Sequence, residues 1–409
     1  AEAVDYLTNV SRDARLHDPT FPRLARMIAR LEPLTSLNLH RTGFDARSSA
    51  WIATLLSSLT ALVNLDLGEN DLGDDGLPLV LNALKHITRL RNLSLDSVGM
   101  TCNGALELAD VLTAHHTSSL RRLSVEDNSD ATWHGALHIA RIVGQCTALE
   151  ELYISGCEFR TMSFGVVVAE LASSTGLSHL GLNGCQIDSS CWANFMSTVR
   201  DGGCPGLIFL NAGSNGKYTL GDFSIPQEMS QGFPQMTRLA RLVLSDNRID
   251  DTSATWLALN LRGLSKLKAL DLSDNCIGPQ GMAELMSPGS WHSSITELTL
   301  NANPLGFMGM GTLAATVSRC RHLERLAVNH VRARRSYAAG DAGHMIAAVL
   351  AACKSLKVVE ASSNQIYDEG ATSIAAILNG CPALEGINLQ HNPIRRDGAL
   401  AFRGVKCTS

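Results

Sequence analysis

Leu267-Lys268-Ala269-Leu270-Asp271-Leu272-Ser273-Asp274-Asn275-Cys276-Ile277 is the stretch that decides the fold. Its central leucines alternate with polar residues, the period of a short strand with one buried face. An Asn and an Ile follow, so the stretch reads L-x-x-L-x-L-x-x-N-x-I. The same frame returns at Leu62, Leu65, Leu67, Asn70 and Leu72, at Leu239, Leu242, Leu244, Asn247 and Ile249, and at Leu384, Ile387, Leu389, Asn392 and Ile394.

Self-similarity at a fixed period is the mark of a stacked repeat architecture. Thirteen copies start at Leu34, Leu62, Leu90, Leu120, Leu149, Leu177, Leu207, Leu239, Leu267, Ile295, Leu323, Leu356 and Leu384. Seven of the twelve steps are 28 residues, a register that chance does not hold. The L-x-L core is a strand with its leucines turned inward. The Asn is placed to hydrogen-bond the backbone of the turn, satisfying buried groups rung after rung. An apolar-faced helix fills the remainder, as over Gly76 to Ile87 and Ala342 to Cys353. A glycine recurs just ahead of it, at Gly76, Gly104, Gly281, Gly309, Gly370 and Gly398, where a missing side chain lets the helix start close to its neighbour.

A strand–helix unit is wider on its helix side, so a stack of them curves. The expected fold class is α/β: a right-handed leucine-rich-repeat solenoid, a horseshoe of about 13 repeats. Its parallel sheet lies on the concave face and its helices on the convex face. With strands about 4.8 Å apart, the inner face would run about 60 Å. Residues 1–33 carry no strand motif, and Phe21 to Leu31 reads as a helix in an N-terminal cap; residues 34–409 form the solenoid. The first residue is not Met, which suggests processing or trimming, and the last helix, starting near Asp397, is short and lacks a polar cap.

A 28-residue strand–helix unit with Asn or Cys at its ninth position resembles the ribonuclease-inhibitor-like leucine-rich repeats. Cys157 and Cys185 hold that ninth position. In a second column, Cys146, Cys204, Cys320, Cys353 and Cys381 each stand three residues before a repeat's first Leu. The resemblance covers residues 34–398. It implies the fold and a protein-binding role, in a group that includes ribonuclease inhibitors, Ran GTPase activators, actin pointed-end caps and sensor regions of immune receptors.

Strand geometry turns the third, fifth, seventh and eighth positions of each repeat to the concave surface. Those columns hold Asp66, Glu69, Asp96, Glu126, Asp127, Glu151, Asp246, Asp271, Asp274, Glu297 and Glu360 against Arg41, Arg122, Arg241 and Arg325. Tyr153 and Phe209 add aromatics. An acidic inner face suits a basic partner steered by charge, although charged residues also simply solvate an exposed sheet face. Two repeats are long. One insertion lies between Asn211 and Met236 and contains Lys217-Tyr218-Thr219-Leu220. The other carries Arg332, Arg334, Arg335 and Tyr337, a composition common at binding hot spots.

Chemistry-bearing motifs are scarce. There is no phosphate loop, HExxH or GxSxG, and no CxxC pair. No cofactor, metal or catalytic residue is expected, and the chain reads as a non-enzyme. His115-His116 reads as an exposed polar pair at a helix end, the cysteine column as small apolar core, and the Trp residues at 51, 133, 192, 256 and 291 as mostly core. A net charge of −5 and a pI near 6.2 argue against general nucleic-acid binding. Eleven scattered cysteines suit a reducing compartment, the cytoplasm first, with cytoskeleton, cilium or nucleus as variants. No apolar run long enough for membrane insertion occurs.

The function expected is a non-catalytic scaffold that binds a partner protein. Two alternatives stay open: a structural subunit of a large cytoskeletal or axonemal assembly, and a GTPase activator resembling Ran activators, in which Arg41 would serve the nucleotide.

Overall fold

A computed structural model describes residues 34–128, 132–157, 161–216, 232–331 and 342–405. The predicted helix at 21–31, the Lys217–Leu220 insertion and the Arg332–Tyr337 loop lie outside them. The chain forms two compact units, Ala1–Leu207 and Ile208–Ser409.

In the first unit six three-residue strands lie parallel: β1 Ser36–Asn38, β2 Asn64–Asp66, β3 Asn92–Ser94, β4 Arg122–Ser124, β5 Glu151–Tyr153 and β6 His179–Gly181. In the second lie β7 Phe209–Asn211, β8 Arg241–Val243, β9 Ala269–Asp271, β10 Glu297–Thr299, β11 Arg325–Ala327, β12 Val358–Glu360 and β13 Gly386–Asn388. Every strand is the third to fifth position of its repeat. The fourth-position leucines pair in register, Leu37 with Leu65 and Leu65 with Leu93 in one unit, Leu242 with Leu270 and Leu270 with Leu298 in the other. Each of these leucines is at most 2% exposed. Burying one such side chain stabilises the fold by about 2 kcal/mol, so successive rungs are held chiefly by this column.

The helices run behind the strands: α1 Ser49–Ser58, α2 Gly73–Leu84, α3 Cys102–His115, α4 Thr132–Gln145, α5 Thr161–Ser173 and α6 Ser189–Arg200 in the first unit. The second has α7 Asp251–Leu261, α8 Pro279–Leu285, α9 Gly306–Thr316, α10 Ala342–Ala352, α11 Asp368–Leu378 and α12 Arg396–Leu400. Among the described residues no helix is long and apolar enough to cross a membrane.

Two polar devices lock the rungs. The first is the ninth-position Asn. Asn275 donates through Nδ2 to the Leu272 carbonyl of its own rung and the Leu244 carbonyl of the rung before, each at 2.9 Å, while its Oδ1 accepts from the Asn247 and Ile249 amides. Cys185 makes the same backward reach to Ile154 O with its thiol, at 3.1 Å. Val98 and Val331 hold the position without a polar group. The carbonyls they would serve are taken by neighbours, Leu67 O by Asn70, Leu95 O by Asn128 and Val328 O by Asn364. The second device is an Asp in the first helical turn, such as Asp251 or Asp74, which accepts backbone amides at the start of the next rung's helix.

Just before that Asn the chain takes a left-handed residue. The eighth position has φ between 50° and 70° at all thirteen repeats, with glycine at Gly156 and Gly184 only. This tight turn carries each strand back toward its helix.

Two expectations fail. His115 is exposed, but His116 is 1% exposed. It caps a neighbouring helix, its Nε2 3.1 Å from Leu84 O at the end of α2, and burial depresses its basicity. Trp51 is not core: it is 45% exposed on α1, because it falls on the helix face away from the sheet, whereas Trp192 and Trp291 are buried. The cysteine column behaves as expected. Cys146, Cys204, Cys320, Cys353 and Cys381 are buried free thiols, and burial raises the pKa of Cys204 and Cys320 to about 12.

Candidate protein-interaction face

The sheet side turned away from the helices is built from the columns that flank the buried leucines. On β2 the burial pattern runs half-buried, buried, half-buried, and β5, β9 and β12 repeat it. That alternation follows from the strand period and places the predicted acids on the open face of each unit.

In the first unit these side chains form two groups. Near β1 and β2, the His40 ring lies over Gly68, where an added Cβ would come within 2.7 Å of its Nδ1. The ring sits 3.6 Å from Asp66 and 3.4 Å from Glu69, and Arg41 pairs with Glu69 at 3.3 Å. All are substantially exposed, so these pairs contribute little stability.

The second group spans β3 to β6. Arg122 pairs with Glu151 at 3.0 Å, and its guanidinium lies 4.6 Å from the centre of the Tyr153 ring. Tyr153 donates its hydroxyl to Glu151 at 3.3 Å. Its ring lies across Gly181, where a Cβ would stand 2.8 Å from Cδ1, so glycine on β6 is what lets the ring lie down. Beside them Asp96 accepts from the Ser124 hydroxyl at 2.6 Å and the Glu126 amide at 2.7 Å. Glu126 is half-buried. Burial pushes its carboxyl above the usual range, a hydrogen bond from Ser155 opposes this, and the neighbouring charges of Asp96 and Asp127 add to it. Among the described residues Asp96, Glu126 and Asp127 form no ion pair with a base.

The second unit carries a ladder of alternating charge. Arg241 on β8 reaches across Ala269 to Glu297 on β10, at 3.8 Å. Arg325 on β11 bridges Glu297 at 3.8 Å and Glu360 on β12 at 3.6 Å. Small Ala269 leaves a shallow hollow bounded by Arg241, Val243, Asp271, Glu297 and Thr299. Phe209 sits beside Arg241 in register and is half-buried.

Of the residues expected to touch a partner, Asp66, Glu69, Asp96, Glu126, Asp127, Glu151 and Tyr153 lie on the first unit's face, and Phe209, Asp246, Asp271 and Asp274 on the second's. Their settings differ. Asp271 is committed to structure, its Oδ1 accepting from the Ser273 amide and hydroxyl at 2.9 and 2.7 Å. Asp127, Asp246 and Asp274 occupy the left-handed turn position, which suits Asp. Sequence reading did not single out the pairing of Arg122 with Tyr153. The signal was available: an Arg in the third column one repeat before a Tyr in the fifth, with Gly181 one repeat further on.

Among the described residues no group of three or more His, Cys, Asp or Glu side chains is placed to hold a metal ion. The face offers carboxylates, guanidinium groups and one fixed aromatic ring, the equipment of recognition.

Comparison with known proteins agrees with this architecture. A family model described as Leucine Rich repeat matches residues 263–286 and 352–375. The ribonuclease inhibitor of Sus scrofa is 28% identical over 255 residues, 62% of this chain and 48% of that protein. The NACHT, LRR and PYD domains-containing protein 5 of Homo sapiens is 28% identical over 302 residues, 72% of this chain and 21% of that protein. The matched region thus spans about half of the porcine relative and about a fifth of the human one. Among solved structures, an internalin from Listeria monocytogenes superposes with a TM-score of 0.48 at 15% identity, covering 99% of this chain and 94% of that one. Repeat length, the Asn/Cys ninth position, the in-register parallel strands, the family-model match and the porcine and human relatives agree: the chain is a leucine-rich-repeat protein with repeats of the ribonuclease-inhibitor-like class.

Proposed function

We propose that the chain is a non-catalytic binding module that takes a basic partner protein on the acidic open face of its sheet. Leucine-rich-repeat arrays are protein-interaction modules in general, because stacked short strands present a broad, preformed surface. The observation that supports a basic partner is the group Asp96, Glu126 and Asp127. Three carboxylates gather there without a paired base among the described residues, and one is held in a setting that disfavours its charge. Like charges on neighbouring strands cost stability, and an incoming Lys or Arg would offset that cost. Tyr153, held between Arg122 and Gly181, supplies a rigid aromatic anchor beside them. The non-catalytic reading is supported by the porcine relative, whose name describes an inhibitor. Free thiols at all ten described cysteines fit a reducing compartment such as the cytoplasm.

The test is affinity capture from source lysate, read by mass spectrometry, with Asp127→Lys/Asp274→Lys beside the unaltered protein. Both side chains are exposed and make no ion pair with described residues, so the variant should keep its melting temperature. A basic protein retained by the unaltered chain and lost by the variant supports the reading. Equal retention by both contradicts it.

A further inference from the structure

The second unit carries a charged surface distinct from its open face. It is the rim where each helix or 3-10 turn ends and the next strand begins. Lys266 and Lys268 stand there ahead of β9, Arg238 ahead of β8 and Arg321 ahead of β11. All four are exposed, and among the described residues their side chains make no hydrogen bond or ion pair. Other bases on this rim are engaged in structure. Arg319 donates to Met286 O at 2.5 Å, Lys354 to Leu350 O at 3.3 Å, and Lys357 pairs with Glu324 at 2.9 Å. Glu324 and Glu385 are the acids of this rim in the described rungs.

On the opposite rim of the same unit, where strands end and helices begin, the acids Asp250, Asp251, Asp368, Glu369 and Asp397, with Asp246 and Asp274 at the border of the open face, outnumber the bases Arg248, Arg395 and Arg396. The unit is therefore polarised from rim to rim. Helix dipoles explain part of this, since cations are favoured at helix C-termini and anions at N-termini. That accounts for Arg319 and Lys354, which donate to carbonyls at or just past helix ends. It does not account for Lys266, Lys268, Arg238 and Arg321, which reach no carbonyl.

We infer that this rim is a second docking surface and that its occupant is an extended acidic segment of a partner protein. The bases span the rungs from β8 to β11, about 15 Å at the strand edge, the reach of roughly five extended residues. An extended chain places alternate side chains about 7 Å apart, so two or three carboxylates can meet these bases at once. Nucleic acid is the poorer fit. No aromatic ring stands among the four unpaired bases to stack on a base. This surface stands apart from the open face and does not depend on what binds there.

The test is fluorescence anisotropy on the full chain with a labelled peptide of about ten glutamates. A neutral peptide of alternating Glu and Lys, a single-stranded oligonucleotide of equal charge and vesicles containing phosphatidylserine run beside it. The rim variant is Lys266→Gln/Lys268→Gln/Arg321→Gln, which removes charge without reversing it. Lys85→Gln/Arg89→Gln in the first unit is the control, and both are checked by thermal melting. The expected result is saturable binding of the glutamate peptide, weakened about tenfold by the rim variant, changed less than about twofold by the control and falling steeply with salt. No saturable binding, or equal binding by the rim variant, overturns the inference. Tighter binding of the oligonucleotide or the vesicles overturns the assignment of the occupant to protein.

Discussion

Gly281 and Asp251 meet across adjacent rungs: the Gly281 amide donates to Asp251 Oδ1 at 2.8 Å, and a Cβ on Gly281 would lie 2.6 Å from that same oxygen. Asp251 also accepts the Gly278 amide at 2.6 Å. One carboxylate in the first turn of α7 thereby satisfies two orphan amides at the start of α8. The arrangement recurs. Asp74 accepts the Thr101 and Gly104 amides, and Asp368 accepts the Arg395 amide opposite Gly398.

Gly281→Ala should therefore destabilise the second unit by about 3 kcal/mol, through steric overlap and a displaced charge-assisted bond. Asp251→Ala should cost a similar amount by leaving the amides unpaired. The double variant should cost clearly less than the two losses summed, because the residues share one contact. Urea unfolding with a cycle of the four proteins checks this; strict additivity would show that the contact is incidental.

At Asn275, replacement by Ala removes bonds to five backbone groups of two rungs and should cost about 3 kcal/mol. Asn275→Cys should cost about 1 kcal/mol less, since a thiol keeps the backward bond, as Cys185 does to Ile154 O. Equal losses for Ala and Cys in chemical denaturation would mean that the thiol at the ninth position does not substitute for the amide.

A pH dependence follows from Glu126. Burial, opposed by Ser155 and reinforced by Asp96 and Asp127, raises its folded pKa above the ordinary glutamate value of 4.5. For an acid whose folded pKa is raised, the folded state holds the proton more tightly. Stability is then lost as pH rises from the unfolded value through the folded one. Glu126→Gln should accordingly melt higher than the unaltered chain at neutral pH, with the gain vanishing below pH 4.5. A gain that persists undiminished in acid would assign the effect to packing instead of charge.

Most of the fold was legible because its signals are periodic. The leucine columns announce the strands, and the recurring Gly marks the close approach now seen at Gly281. The Asp that meets Gly104, Gly281 and Gly398 was not legible, since it belongs to the preceding repeat and appears only when rungs are laid side by side. The left-handed eighth position was hidden for a different reason: Glu69, Ala302 and His330 share its backbone conformation but no side-chain chemistry. On the open face the acidic columns could be read from strand alternation. Their division could not: Glu151, Glu297 and Glu360 are paired with arginines, whereas Asp96 and Glu126 are not, which depends on reach across rungs. His116 shows the same limit, for a residue beside an exposed neighbour is buried by the end of another helix.

If the open face binds the partner as proposed, its carboxylates are covered in the complex. Carboxyl footprinting measures it most directly: the captured complex and the free chain are labelled with a carbodiimide and glycine ethyl ester, and modification is read residue by residue. Labelling of Asp127 and Glu151 should fall several-fold in the complex, while Asp75 and Glu107, exposed on α2 and α3, should label as in the free chain. Protection of the helical carboxylates with the face still labelled would contradict it.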